Sequence, residues 1–89
     1  MINQRITIIN KLGLHARAAT KLATTAGRFA CRVRTGRNGK MVDAKSVMAL
    51  MLLAAAQGTE LEFELDGSDE QEAWTAISEL INDYFGEGE

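Results

Sequence analysis

The sequence predicts an α+β fold in which three helices cover one face of a four-stranded, mainly antiparallel sheet. Short segments with apolar residues at every second position indicate strands that are buried on one face only. Other segments have apolar residues three or four positions apart and indicate amphipathic helices. The two kinds of segment alternate in the order βαββαβα, which leaves the second face of the sheet bare.

The first half of the chain contains a strand, a helix and a hairpin. Residues 2–8 alternate between apolar and polar side chains, as in a half-buried strand. A loop with Gly13 then leads into a helix over about residues 16–26, which a glycine terminates. Residues 29–35 and 40–42, joined by a glycine-containing turn, predict a hairpin.

The second half contains a short helix, a strand and a longer helix. Residues 47–56 are apolar and rich in methionine, and they predict a helix with Leu50, Leu53 and Ala54 facing inward. The clearest strand pattern covers residues 60–66. A third helix is expected to begin near Ser68 or Asp69, followed by a frayed tail over residues 86–89. Its predicted apolar face consists of Ala73, Ile77, Leu80, Ile81 and Tyr84.

The composition is that of a small globular protein, and we expect one domain spanning residues 1–89. The chain is 46% hydrophobic and 25% charged, and it contains no proline. Its longest apolar stretch, residues 47–56, is far shorter than the ~20 residues that cross a bilayer, and polar residues follow Met1. We therefore expect a cytoplasmic protein without membrane insertion. One Cys31 and one His15 are too few ligands for a structural zinc site, so neither a metal nor a cofactor is expected.

The stretch Gly13-Leu14-His15-Ala16-Arg17 carries the most chemical information. It places the only histidine between a glycine loop and the first turn of a helix. The first N–H groups of a helix have no internal acceptor, and the helix dipole adds partial positive charge there, so a phosphoryl group on His15 would meet the amides of Ala16 and Arg17. The same dipole favours a neutral, nucleophilic ring, and the Arg17 guanidinium could bind phosphoryl oxygens.

A purely structural interpretation of His15 is that it caps the helix. Histidine is a poorer cap than serine, threonine, aspartate or asparagine, and a basic stripe of Arg17, Lys21 and Arg28 follows it. No serine–histidine or cysteine–histidine hydrolase pattern competes, and Cys31 alternates with outward arginines as a small core residue would. These features favour a chemical role.

In these residues the sequence closely resembles the HPr family, the histidine phosphocarriers of the bacterial phosphoenolpyruvate-dependent phosphotransferase system. The resemblance also includes the segments Lys45-Ser46-Val47 and Ala56-Gln57-Gly58 and the βαββαβα order. It implies an open-faced β-sandwich in which enzyme I phosphorylates His15 on Nδ1 and the group passes to IIA proteins or domains. It further implies that Arg17 stabilises the phosphoryl group.

Ala18 departs from the commonest form of this motif, where proline stands. Proline in a first helical turn fixes φ at no loss of an internal hydrogen bond, so alanine should loosen the helix start only slightly. The chemistry is expected to survive. The substitution leaves the branch open, because NPr, the paralogue of the nitrogen-related phosphotransferase chain, shares the motif and the Asn10-Lys11-Leu12-Gly13 approach.

Ser46 is expected to cap the second helix. The resemblance implies that an HPr kinase/phosphorylase could phosphorylate it, and the added charge would then weaken transfer through His15. Beside it, the methionine-rich helix is expected to carry a docking patch for several partners in turn. The docking residues implied on the two helices are Thr20, Lys21, Thr24, Val47, Met48 and Met51.

The distribution of charge bears on the alternatives. Residues 1–45 hold all ten Lys and Arg residues and a single acid, whereas eleven acids lie in residues 46–89. If the last strand lies beside the first and second, as the resemblance implies, most of these charges pair across the bare face, namely Glu60, Glu62 and Glu64 with Arg5, Arg32 and Arg34. The expected function is a monomeric phosphocarrier and not a turnover enzyme. A purely regulatory binding module is a second hypothesis. Nucleic-acid binding ranks third, because the pI is about 5.4 and the basic residues are not interleaved with Tyr or Trp.

Overall fold

The computed structural model describes residues 1–88 and contains one antiparallel sheet covered by three helices. The strands are β1 (Ile2–Thr7), β2 (Arg32–Arg37), β3 (Lys40–Asp43) and β4 (Glu60–Asp66). The helices are α1 (Ala16–Gly27), α2 (Val47–Leu52) and α3 (Glu70–Asn82). The strand order β1-β4-β2-β3 and the element order βαββαβα confirm the predicted α+β open-faced sandwich.

The alternation of side chains along β4 places this strand at the centre of the sheet. Its apolar residues Leu61, Phe63 and Leu65 are all fully buried against the helices. They pack in one hydrophobic core with the inward residues of the helices, which include Leu22, Leu50, Ile77 and Ile81. Cys31 is a free, buried cysteine in the same core, as predicted.

The outer face of the sheet carries part of the cross-strand charge pattern that the sequence predicts, because Arg32 lies opposite Asp66 and not opposite one of the three glutamates. Arg5 lies opposite Glu62 in the register of β1 with β4, and Arg34 lies opposite Glu64 in that of β2 with β4. The Arg34 guanidinium is 3.7 Å from Glu64, and that of Arg5 is 3.8 Å from Glu60. Each such exposed pair contributes little to stability, and the two pairs involve only two of the ten Lys and Arg residues, so the prediction that cross-strand pairing accounts for most of the charge asymmetry is wrong for the described residues.

Strand β2 begins at Arg32, and the prediction that it begins at Phe29 is wrong. The N–H groups of Ala30 and Cys31 donate to the two carboxylate oxygens of Asp69 at 2.7 and 2.9 Å, instead of joining the sheet. These bonds, first that from Ala30 and then that from Cys31, hold the pKa of Asp69 below its ordinary value against a smaller effect of desolvation. Asp69 thus ties the segment between α1 and β2 to the start of α3.

Helix α2 ends at Leu52, four residues before the predicted end at Ala56. Ala54 has a φ of +51° and is exposed, so it does not belong to the inward stripe, and Ala55 is buried in its place. The Ala55 carbonyl accepts a hydrogen bond from the Leu14 N–H at 2.8 Å. The positive φ of Ala54 turns the backbone out of the helix and leaves the Ala55 carbonyl free to bond to the loop before α1.

Helix α3 ends at Asn82, and a 3₁₀ turn over Tyr84–Gly86 follows it. Tyr84, predicted on the apolar face, lies outside the helix and is 38% exposed, whereas Phe85 is fully buried. None of the helices in residues 1–88 is long and apolar enough to cross a membrane.

Candidate functional site

His15 is the N-cap of α1. Its backbone is extended, with φ −77° and ψ 179°, and its Nδ1 accepts the Arg17 N–H at 3.3 Å. Its carbonyl accepts the Ala19 N–H at 2.8 Å and so begins the helical ladder. The side chain is 26% exposed. The imidazole therefore lies at the N-terminus of α1, as the sequence predicts, with Nδ1 facing a first-turn amide.

The glycine loop before His15 is held against the segment after α2. Gly13 has a φ of +66°, and its N–H donates to the Asn10 carbonyl at 3.1 Å. A Cβ at position 13 would lie 2.5 Å from the carbonyl oxygen of Ala55. Glycine is required here both by the backbone conformation and by the close approach of the second chain segment.

Two residues of the site, Glu87 and Asn10, were not predicted. The Glu87 carboxylate contacts the other ring nitrogen of His15, with Oε2 2.5 Å from Nε2. Its Oε1 accepts a hydrogen bond from Asn10 Nδ2 at 3.0 Å, and the same Nδ2 donates to the Gly13 carbonyl at 2.8 Å. The Asn10 side chain is fully buried. His15 is thus held from both sides of its ring.

The pKa of Glu87 reflects these partners. Desolvation by itself would raise the pKa of this carboxyl, but the hydrogen bonds from Asn10 and His15 outweigh it, and the charges of His15 and Arg17 act in the same direction. The net effect is a pKa below the ordinary value, so Glu87 is ionised at neutral pH.

Residues 83–88, which we call the strap, carry Glu87 to this position. Phe85 anchors the strap in the core, and its carbonyl accepts a hydrogen bond from Lys21 Nζ at 2.6 Å. Gly86 and Gly88 both have positive φ and flank Glu87. The predicted frayed tail is therefore wrong for residues 86–88, and residue 89 lies outside the described residues. An aromatic residue directly before a glycine was the available signal, since a large apolar side chain there favours an anchored segment.

The other predicted site residues differ in how exposed their side chains are and in whether they have hydrogen-bond partners. The Arg17 side chain is exposed and makes no hydrogen bond or ion pair within residues 1–88. Ala16 is exposed in the first turn, whereas Ala18 is fully buried. Ser46 is the cap of α2, as predicted, and its Oγ accepts the Ala49 N–H at 3.2 Å.

The predicted docking residues fall into two groups. Thr20 and Thr24 are exposed on α1, and Met48 and Met51 are 77% and 45% exposed on α2. Val47 is half-buried and packs against the core, and Lys21 is half-buried with its ammonium on the strap. Two exposed leucines that the sequence did not single out, Leu12 and Leu52, add apolar surface. No cluster of three metal-binding side chains occurs in the part of the chain that the structure describes.

Comparison with known proteins decides the family. Residues 2–83 match the family model described as the PTS HPr component phosphorylation site. The chain belongs to the HPr family. The phosphocarrier protein HPr of Neisseria meningitidis serogroup A is 56% identical over 89 residues, which is the whole of both chains.

Solved HPr structures share the fold. A crystal structure of HPr-C-His from Thermoanaerobacter tengcongensis matches with a TM-score of 0.94 and 40% identity, over 98% of each chain. A crystal structure of an HPr dimer from the same organism matches with a TM-score of 0.78 and 40% identity, over 98% of this chain and 100% of the other. The protein described here is thus an HPr-family phosphocarrier of the phosphotransferase system.

Proposed function

We propose that this chain accepts a phosphoryl group on Nδ1 of His15 from phosphorylated enzyme I and donates it to IIA proteins or domains. The observation that carries the proposal is the position of His15 as the cap of α1, with Nδ1 facing the Arg17 amide at 3.3 Å. A phosphoryl group on Nδ1 would replace this weak internal contact with charge-assisted bonds to the first-turn amides of Ala16 and Arg17.

Arg17 is the residue that we assign to the phosphoryl oxygens. Its guanidinium is exposed and has no partner within residues 1–88, so it can turn toward the phosphoryl group without breaking a bond. The stabilisation is modest, because both the arginine and the helix end are in contact with solvent. A carrier needs this balance, since a phosphohistidine bound too tightly would not be passed on. The chain is therefore proposed as an intermediate carrier and not as a turnover enzyme.

The partners are proposed to dock on one surface beside His15. It combines apolar side chains of α2 with polar side chains of α1, and flexible methionines suit short contacts with several partners. We assign to it Thr20, Thr24, Met48, Met51 and, with smaller exposed areas, Lys21 and Val47. The nearby basic residues favour acidic partner surfaces.

Ser46 is proposed as a regulatory phosphorylation site for an HPr kinase/phosphorylase. A phosphate there adds about −1.5 to −2 charges next to the docking surface. Helix α2 packs against α1, so this charge would lie close to the incoming donor. The remaining parts of the proposal are a cytoplasmic location, a single domain and a monomeric state, with no metal, cofactor or nucleic acid.

The deciding experiment is phosphorylation of the purified protein by phosphoenolpyruvate and enzyme I, with the nitrogen-branch counterpart of enzyme I in a parallel reaction. We expect an acid-labile adduct that is absent in His15→Ala and forms more slowly in Arg17→Ala. Thr25→Ser, on the buried side of α1, serves as a control that leaves the reaction unchanged. Faster reaction with the nitrogen-branch donor would assign the chain to the NPr branch, and no adduct with either donor would refute the carrier function.

A further inference from the structure

We infer that Glu87 is a positioning residue for the phosphoryl acceptor: its carboxylate keeps the proton of neutral His15 on Nε2 and leaves the lone pair on Nδ1. The inference rests on the proposed function in that it takes Nδ1 as the reacting atom. It goes beyond that proposal because it assigns a role to the strap.

The two ring nitrogens of His15 have partners that require the same tautomer. An ionised carboxylate only accepts hydrogen bonds, so the nitrogen 2.5 Å from Glu87 Oε2 must carry the proton. A backbone N–H only donates, so Nδ1, which faces the Arg17 amide, must carry the lone pair. The heavy-atom partners on both sides therefore assign the Nε2–H tautomer.

The Glu87 carboxylate is itself held in place. Its side chain is only 10% exposed, and its second oxygen accepts the Asn10 amide at 3.0 Å. Asn10 is fixed in turn by the Gly13 carbonyl, within the loop that presents His15. Elsewhere in the strap, the Phe85 side chain is buried and the Phe85 carbonyl accepts a hydrogen bond from Lys21. A group oriented by a third residue is the usual arrangement for an activated nucleophile.

The same contact acts during transfer. The Nδ1 lone pair forms the new P–N bond while the donor's bond to phosphorus breaks, and that electron pair leaves with the donor atom. The imidazole ring then carries positive charge, shared with Nε2–H, next to the Glu87 carboxylate, which stabilises it. When His15 donates the group, the P–N electron pair returns to Nδ1. The Nε2 proton stays in place in both directions.

The test compares wild type, Glu87→Gln and the control Glu72→Gln. The control makes the same change of acid to amide at an exposed position of α3 that has no hydrogen-bond or ion-pair partner in residues 1–88. A glutamine at 87 can both accept and donate, so it no longer requires a proton on Nε2. The first measurement is nitrogen-15 NMR of the His15 ring, about two pH units above the ordinary imidazole pKa of about 6.5.

The second measurement is the rate at which phosphoramidate phosphorylates Nδ1 of His15, with the Nδ1 and Nε2 adducts distinguished by phosphorus-31 NMR. This small donor needs no docking surface, and its P–N bond breaks with loss of ammonia, so it measures the reactivity of the ring alone. In Glu87→Gln we expect the Nδ1–H tautomer to reach roughly a tenth of the molecules or more. We expect the rate constant to fall roughly tenfold to a hundredfold, mainly because the ring that becomes positive no longer lies next to a negative charge. Glu72→Gln should match wild type in both.

A ring that stays in the Nε2–H form in Glu87→Gln, or a rate equal to that of Glu72→Gln, overturns the inference. Failure of the proposed function gives a different result. In that case wild type itself takes no phosphoryl group from phosphoramidate or from phosphorylated enzyme I. Without a transfer reaction Glu87 has no role in transfer, whichever tautomer the NMR shows.

Discussion

Replacement of Phe85 by alanine tests whether the strap is part of the folded protein. Phe85 is fully buried, and burial of such a side chain is worth about 1.5–3 kcal/mol before any cavity term. Truncation of a buried phenylalanine costs about 3–5 kcal/mol in all. The strap can relax into part of the space, so we expect Phe85→Ala to lower the free energy of unfolding by about 3 kcal/mol. A frayed segment would give a value near zero.

The assay is urea unfolding followed by circular dichroism, with thermal melts in parallel. A loss of about 3 kcal/mol corresponds to a fall in Tm of roughly 12–24 °C for a domain of this size. Tyr84→Ala is the matched control, because Tyr84 is the neighbouring aromatic residue and is 38% exposed, and it should cost less than about 1 kcal/mol. A Phe85→Ala variant as stable as Tyr84→Ala would refute the assignment of Phe85 as an anchor.

Three further predictions follow from single contacts. Gly13→Ala should destabilise the protein by about 1–3 kcal/mol more in urea unfolding than Gly39→Ala, since both positions have positive φ but only Gly13 has a backbone oxygen 2.5 Å from the added Cβ; equal losses would contradict a role for the close approach. Asp69 has a lowered pKa, so its stabilisation is complete above the ordinary value of 3.8 and is lost as pH falls through the folded value. Asp69→Asn should therefore flatten the decline of Tm between about pH 5 and pH 2, and an unchanged decline would contradict this. Ser46→Asp should keep the helix cap but slow phosphorylation by enzyme I roughly tenfold, whereas Ser46→Ala should lose about 1 kcal/mol of stability at an unchanged rate; an unaltered rate in Ser46→Asp would argue against regulation at this position.

Much of the fold was predictable because its signals are local. The alternation in β4 and the helical spacing in α1 depend on residues within one element, and both are confirmed with their burial. The position of His15 at the start of α1 was predictable for the same reason, because a glycine loop followed by helical spacing marks the junction. The position of β4 between β1 and β2 places its glutamates opposite Arg5 and Arg34.

The ends of β2 and α2 that were predicted wrongly share one cause, which is not local. Strand β2 starts late because Asp69 takes the amides of Ala30 and Cys31, and α2 ends early where the Ala55 carbonyl bonds to Leu14. In both cases a partner about 40 residues away competes with the local hydrogen-bond pattern. The spacing of apolar residues within one element does not reveal such a partner.

By itself, the sequence determined the fold class, the order of the elements and the location of His15 at a helix N-terminus. Only the tertiary structure decided what holds that histidine. Glu87 is 72 residues from His15 and 77 from Asn10, and its own neighbourhood of glycines and acids looks like a free end. One buried side chain, Phe85, brings it back to α1, and the hydrogen bonds of Lys21 with the Phe85 carbonyl and of Asn10 with Glu87 add to the burial of that ring in opposing the entropy of ordering the segment.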